Sequence, residues 1–484
     1  MFKKLFLRKP LKDATPDDDG EGRHSLKRHL GWVQLIVIGI GAIIGAGIFV
    51  ITGTAAAQYA GPAIVLSFVV ASVICILAGL CYAELAALIP IAGGSYSYAY
   101  IALGELPAWI IGWSVTGQYI FSASTVAAGW SGYLKSFLKD FSIHLPEWLS
   151  SPPFVHTTSH GWSWSGAVID LPAVLLVAFI GIMIAIGIKA AAHFNSVMVV
   201  IKLCTVALFI IIGVAHIKFA NWSPFIPENT GHFGEFGISG IFRAAGLVFF
   251  AYIGFDTVST LAQDAKSPQR DLPRGILGSL LICTIAYIVV AAILTGLVSY
   301  QLLNVPDPIA VGLDAIGGYK WLGSIVKVAI LAGLASVVLV QLLGQTRIFL
   351  AIGNDRLLPR PFSTMHPKTR TPIVGSIITA LATMVLSGLF PVEILGQLVS
   401  MLTLLIYGIV CLGVWILRST HAEYKRPFKV PLVPFIPALG ILSCFGQMLF
   451  LPANTWVQLV LWMVVGLAIY FLYGYRHSKV RHHR

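Results

Sequence analysis

The chain alternates long apolar runs with short polar connections. A helix needs about 20 apolar residues to cross a bilayer core of roughly 30 Å. Twelve runs meet that demand, at about 33–57, 63–89, 106–133, 168–188, 195–217, 238–262, 275–298, 321–351, 373–390, 393–417, 432–451 and 455–474. They are too long for barrel strands, and no strict alternation persists over the roughly ten residues such a strand needs. The pattern predicts an all-α polytopic membrane protein with 12 transmembrane helices. Composition points the same way. Charged residues make up 11% of the chain, against about 25% in a soluble domain, and the mean hydropathy is +0.85. Soluble multidomain, disordered, coiled-coil and collagen-like classes are excluded.

Charge placement predicts the orientation. With the N-terminus inside, 24 of the 32 Lys and Arg fall in cytoplasmic segments and 4 in outside segments. This is a strong positive-inside bias. It explains the net charge of +12 through the lipid bilayer, with no nucleic acid as partner. The chain divides into a cytoplasmic tail (1–31), spans one to five (32–217), an extracellular connection (218–237), spans six to ten (238–417), two further spans (418–474) and a cytoplasmic tail (475–484). Residues 1–31 lack the apolar core of a cleavable signal peptide. All six cysteines sit in apolar runs, so no disulfide framework or CxxC site is expected. His156 and His160 in the 134–167 connection have ligand-like spacing, but an interfacial loop with aromatic anchors explains that segment better than a metal site.

Two runs are interrupted. The first reads Gly39-Ile40-Gly41-Ala42-Ile43-Ile44-Gly45-Ala46-Gly47. Gly41 and Gly45 suit a small-residue packing face, whereas Gly45-Ala46-Gly47 suits an unwound stretch whose freed N–H groups would bind an anion. The sixth run reads Phe249-Phe250-Ala251-Tyr252-Ile253-Gly254-Phe255-Asp256. A break there would free the carbonyls of Phe250, Ala251 and Ile253 at a negative dipole end, which suits an ammonium group. Donors for a carboxylate beside acceptors for an amine describe an α-amino acid. Each break opens a set of five spans, 1–5 and 6–10, and an odd count per set forces the second to enter inverted. That is the arrangement of a transporter with its site at the repeat interface.

Five motifs in order carry a family resemblance. They are the glycine run; Glu84-Leu85-Ala86-Ala87-Leu88-Ile89-Pro90 with Gly93-Gly94-Ser95-Tyr96; Phe255-Asp256-Thr257 leading to Ala265-Lys266-Ser267-Pro268; Gly344-Gln345-Thr346-Arg347 through Leu357-Leu358-Pro359; and Arg426-Pro427-Phe428-Lys429-Val430-Pro431. From about residue 25 to 478 the chain resembles the amino acid–polyamine–organocation superfamily, and within it the bacterial cationic amino acid transporters. The resemblance implies a five-plus-five inverted repeat with two extra C-terminal helices. It also implies contacts to the substrate carboxylate at Ile44, Gly45, Ala46 and Gly47, and to its amine at Phe250, Ala251 and Ile253. No cofactor is implied.

Charge inside a membrane is a functional signal. Lys202 lies in Val199-Val200-Ile201-Lys202-Leu203. It could snorkel, being only about 10 Å along the helix from Asn195. By resemblance, proton-coupled members carry a lysine here, facing the first break, so Lys202 is the candidate proton carrier. Asp256 either fixes the unwound backbone or faces a cationic side chain. Phe250 and Tyr252 either gate the site or pack. Glu84, Arg347, Arg243 and Lys327 read as snorkelling or paired structural charges.

Family members often carry Glu where this chain has Gln118, and Met where it has Gln341. The pocket gains an amide and loses a carboxylate, which weakens the case for a cationic substrate. No intramembrane HExxH, aspartate pair or GxSxG elbow points to an enzyme. A nutrient-sensing receptor would need an output domain that neither tail can hold, and a channel would need a ring of charges or carbonyls. The expected protein is a multi-pass permease of the cytoplasmic membrane moving L-amino acids, cationic or broad and neutral, by alternating access. Proton symport is preferred, and exchange stays open.

Overall fold

A computed structural model describes residues 5–10, 30–91, 93–157, 161–186, 188–261, 265–317, 320–364 and 372–482. The N-terminal stretch 11–29 and His160, both read above, lie outside the described residues. Among the described residues, each of the twelve apolar runs is mainly helical. The principal helices are α1 (Trp32–Ile43), α2 (Ile64–Leu88), α3 (Gly94–Ala102), α4 (Glu105–Asp140), α5 (Leu171–Ile186), α6 (Ile188–Val214), α7 (Gly237–Val248), α8 (Phe255–Thr260), α9 (Pro268–Leu297), α10 (Pro308–Asp314), α11 (Lys320–Asn354), α12 (Ile373–Leu389), α13 (Val392–Thr420), α14 (Phe435–Leu449) and α15 (Ala453–Ile469).

Among the described residues, seven helical segments are long and apolar enough to cross a membrane. One of them, Gly47–Leu88, has 42 residues, about twice what a bilayer needs. It is two helices. Gly61, at φ 60° and ψ −146°, turns the chain, and Pro62 starts the next helix. Prolines set other starts too: α12, α13, α14 and α15 each follow one directly, at Pro372, Pro391, Pro434 and Pro452. A residue with fixed φ and no N–H suits a position where that donor would be orphaned anyway.

The element boundaries depart from the sequence reading in three places outside the two breaks. Helix α4 runs on to Asp140, so 134–140 belongs to a helix rather than to the connection. Helices α3 and α10 stand where connections were expected; they are short and carry no long apolar run. The 134–167 connection also folds a hairpin, β1 (Phe154–Thr157) against β2 (Gly161–Trp164), with His156 opposite Trp162.

Helix α11 packs along α4, α2 along α9, and α13 along both α4 and α14. The core runs through this contact set, with Tyr82, Tyr252, Tyr287 and Tyr407 wholly buried. The outer faces are apolar: Ile182, Ile211, Leu442 and Leu472 are each more than 60% exposed. Such a surface fits hydrocarbon, not water.

Candidate functional site

Helix α1 stops because Ile44 leaves helical geometry at φ −70°, ψ 108°. Helical angles resume at Ala46, and Gly47 already belongs to the wide first turn of the next helix. The unwound piece is therefore Ile44–Gly45, shorter than the expected Gly45–Gly47 and one residue earlier. Gly47 is held in its turn by the Thr52 hydroxyl, which donates to its carbonyl at 2.9 Å. The first N–H groups of that half-helix have no intrahelical acceptor. The packing reading of the glycines holds as well. A methyl group would press on Ser279 at Gly39, on Val199 at Gly41, on Val337 at Gly45 and on the Ala251 backbone at Gly47.

The sixth run breaks differently. Helix α7 ends at Val248, a tight turn spans Phe249–Tyr252, and Ile253 is extended at φ −65°, ψ 131°. Gly254 then takes φ 128° before α8. Only glycine suits that position, since a Cβ would lie 2.7 Å from the Ala42 carbonyl. The two breaks thus pack directly on one another, Gly47 on Ala251 and Gly254 on Ala42.

Two of the three carbonyls expected to stand free are occupied. The Ile253 N–H donates to Phe250 O at 3.2 Å. The Tyr287 hydroxyl, from α9, lies 2.9 Å from Ala251 O and 2.8 Å from Ile43 O. One hydroxyl proton is shared between the two breaks. Each carbonyl keeps a second lone pair for a ligand.

Lys202 does not snorkel. Its side chain is wholly buried, and its ammonium donates to Gly41 O and, at 3.2 Å, to Ile44 O. In an unbroken helix the Gly41 carbonyl would accept from the Gly45 N–H. The break frees it, and the lysine takes the place of the missing donor at the negative end of α1.

Asp256 is buried too. Its Oδ1 accepts from the Gly254 N–H at 3.2 Å and its Oδ2 from Gln118 Nε2 at 3.4 Å. Of the two roles open in the sequence, this geometry fits the tie to the unwound backbone. Gln118 Oε1 is buried without a hydrogen-bond partner. Gln341 Nε2 donates to Ser122 Oγ at 3.0 Å, which joins α11 to α4. Tyr252 stands apart from these amides: its hydroxyl donates to Phe68 O on α2 at 3.1 Å.

Sequence reasoning missed Tyr287, Ser122 and Gln345. Both amide atoms of Gln345 are buried without a partner. Its spacing of four from Gln341 along one helix was a usable signal. Tyr287 gave none, because its role comes from a contact across three segments. The remaining intramembrane charges are mostly paired. Glu84 meets Arg418 at 2.7 Å, and Lys327 meets Asp140 at 2.8 Å. Arg243 lies over the Tyr59 ring, and Arg347 is exposed.

The sequence profile of the family described as "Amino acid permease" matches residues 30–471. A branched-chain amino acid permease BcaP of Bacillus subtilis (strain 168) is 41% identical over 477 residues, covering 98% of this chain and 99% of that one. A methylthioribose transporter of the same organism is 40% identical over 479 residues, covering 98% of each. Human cationic amino acid transporter 4 is 29% identical over 600 residues, covering 99% of this chain and 91% of that one.

Proposed function

The chain belongs to the amino acid permease family, and on that premise we propose a proton-coupled carrier of neutral L-amino acids that works by alternating access. In this reading it lies in the cytoplasmic membrane with twelve crossings, ten of them as two inverted sets of five, and with both termini inside. The 24-to-4 distribution of basic residues supports that orientation.

The observation that carries the reading is Lys202 on the carbonyls of Gly41 and Ile44. An ammonium that completes the end of a broken helix stabilises that end more strongly than the neutral amine, which keeps two N–H donors but loses the charge. When the proton leaves, the negative end of α1 loses its counter-charge and the break can rearrange. In the proposed cycle the substrate carboxylate docks on the N–H groups of Gly45, Ala46 and Gly47. Its amine docks on the carbonyls of Phe250, Ala251 and Ile253. The two breaks then move as one body, because each packs on the other and Tyr287 touches both.

Closure on the outer side would rest on Tyr59, whose hydroxyl donates to Glu393 at 2.8 Å and whose carbonyl accepts from Phe236 at 2.8 Å. On the inner side Phe255, Tyr82 and Tyr407 form one aromatic cluster. Both contact sets must open in turn.

A neutral side chain is favoured because the one carboxylate at the sixth break, Asp256, is already bonded to Gln118 and Gly254. The amides of Gln118 and Gln341 suit polar or apolar neutral groups better than a second cation. The relative named as a methylthioribose transporter makes a hydroxylated thioether sugar a second candidate, since amides also bond hydroxyls. Counterflow with reconstituted protein tests the substrate, using the twenty amino acids and methylthioribose as competitors, and uptake with and without an inward proton gradient tests the coupling. Competition by neutral amino acids, with uptake driven by an inward proton gradient, is expected. Competition by Arg and Lys alone would overturn the substrate assignment, and gradient-independent uptake would overturn the coupling.

A further inference from the structure

A cleft unrelated to the transport path lies at the end of α13, between it and the N-terminal segment 5–10. Its walls include Arg8, Lys9, Leu417, His421 and Tyr424. The segment is firmly placed. The Lys9 N–H donates to Tyr100 O, its ammonium meets Asp355 at 2.8 Å, and the Phe6 backbone packs on Gly104. The cleft encloses about 170 Å³, roughly the space of five or six water molecules.

Among the described residues, the charge around it is unbalanced. Lys9 is neutralised by Asp355. Arg8 has a long contact of 3.5 Å to the Thr420 hydroxyl, which neutralises nothing. Beneath the cleft floor two guanidiniums share one carboxylate. Arg418 bonds Glu84 at 2.7 Å, and Arg426 Nε lies 3.2 Å from the same group without hydrogen-bond alignment. Arg426 also donates to the carbonyls of Leu417 (3.1 Å) and His421 (2.8 Å), so its charge sits directly under the lining. The exposed Glu423 offsets only part of this. His421 stacks on Tyr424, with ring centroids 4.9 Å apart, and its Nδ1 faces Thr420 Oγ1 at 2.9 Å. Thr420 Oγ1 gives its own proton to Ile416 O at 2.8 Å, so Nδ1 donates to Thr420, and it is the imidazolium form that offers an Nε2–H to an anion.

We propose that this cleft binds a phosphate group, with Arg8 and His421 as its direct ligands and the Arg418–Arg426 pair supplying the field. A planar guanidinium with spare donors, an imidazolium Nε2–H and excess positive charge suit a tetrahedral oxyanion. The group would come from an anionic phospholipid headgroup or from free phosphate. Bound there, it ties the N-terminal segment to the end of α13.

The test uses the full-length protein. In neutral detergent, the thermal midpoint is followed against inorganic phosphate, with chloride at equal ionic strength as control. In nanodiscs, retention of phosphatidylglycerol over phosphatidylcholine is read by native mass spectrometry. At least one arm should show saturable binding. Arg8→Gln should weaken it roughly tenfold, the loss of one charge-assisted bond, while Arg8→Lys keeps part of it. His421→Gln is the second variant and should also weaken it. Binding in the phosphate arm alone assigns free phosphate, and binding in the lipid arm alone assigns a headgroup. No saturable binding in either arm, or binding unchanged in both Arg8→Gln and His421→Gln, overturns the proposal.

Discussion

The ammonium of Lys202 lies 3.2 Å from the Ile44 carbonyl, in a side chain that solvent does not reach. A charge on α6 thereby completes a helix end on α1. Lys202→Met removes it at nearly constant volume. Gradient-driven uptake should fall ten- to a hundredfold, since each hydrogen bond to a charged group contributes about 1.5–3 kcal/mol, while counterflow at equal pH persists. Measuring both in the same vesicles separates coupling from substrate binding. Equal loss of the two would point to a structural role.

Gly254 tolerates no side chain, because its φ is 128° and a Cβ would strike Ala42. Gly254→Ala should lower stability by about 1–3 kcal/mol through backbone strain and abolish transport. The readouts are the thermal midpoint and the initial uptake rate. Gly446, where an added Cβ meets nothing within 4 Å, provides the control: Gly446→Ala should leave both unchanged.

Tyr287→Phe deletes one hydroxyl and leaves the Ile43 and Ala251 carbonyls without their shared donor. The penalty expected for unpaired buried acceptors is about 1–3 kcal/mol. Because both carbonyls belong to the moving breaks, the maximal rate should drop more than the apparent affinity. A rate that holds while affinity falls would place Tyr287 in substrate binding instead.

Gln118→Glu would set a second carboxyl where the amide now donates to Asp256 at 3.4 Å. Two carboxylates this close repel unless a cation or a proton intervenes. The variant should therefore gain competition by Arg and Lys relative to the parent chain. An unchanged competition profile would remove Gln118 from the specificity pocket.

Glu84 anchors the α2 end to Arg418, Arg426 and the Val430 N–H. Glu84→Gln leaves two guanidiniums without their counter-charge, and removing one partner of a buried pair is expected to cost about 3–5 kcal/mol. A lowered thermal midpoint with normal transport in the surviving fraction is the expected outcome.

Much of this was legible in the chain itself. Hydrophobic run length determined that the twelve stretches are helical, because hydrocarbon leaves backbone groups no other partner. The glycines of the first run and the aromatic–glycine–aspartate string of the sixth marked the interruptions. A lysine in an apolar run marked itself by its cost. The sequence by itself could not set the exact break at Ile44–Gly45. Nor could it show that the Phe250 and Ala251 carbonyls are occupied, or choose between snorkelling and burial for Lys202. Those outcomes depend on residues far apart in the chain. Lys202 and Gly41 are 161 positions apart, and Tyr287 and Ile43 are 244. Periodicity reports which face of a helix is apolar, but it carries no information about which neighbour supplies a donor. Only the packing of α1, α6, α8 and α9 against one another decided where the orphaned backbone groups of each break found their partners.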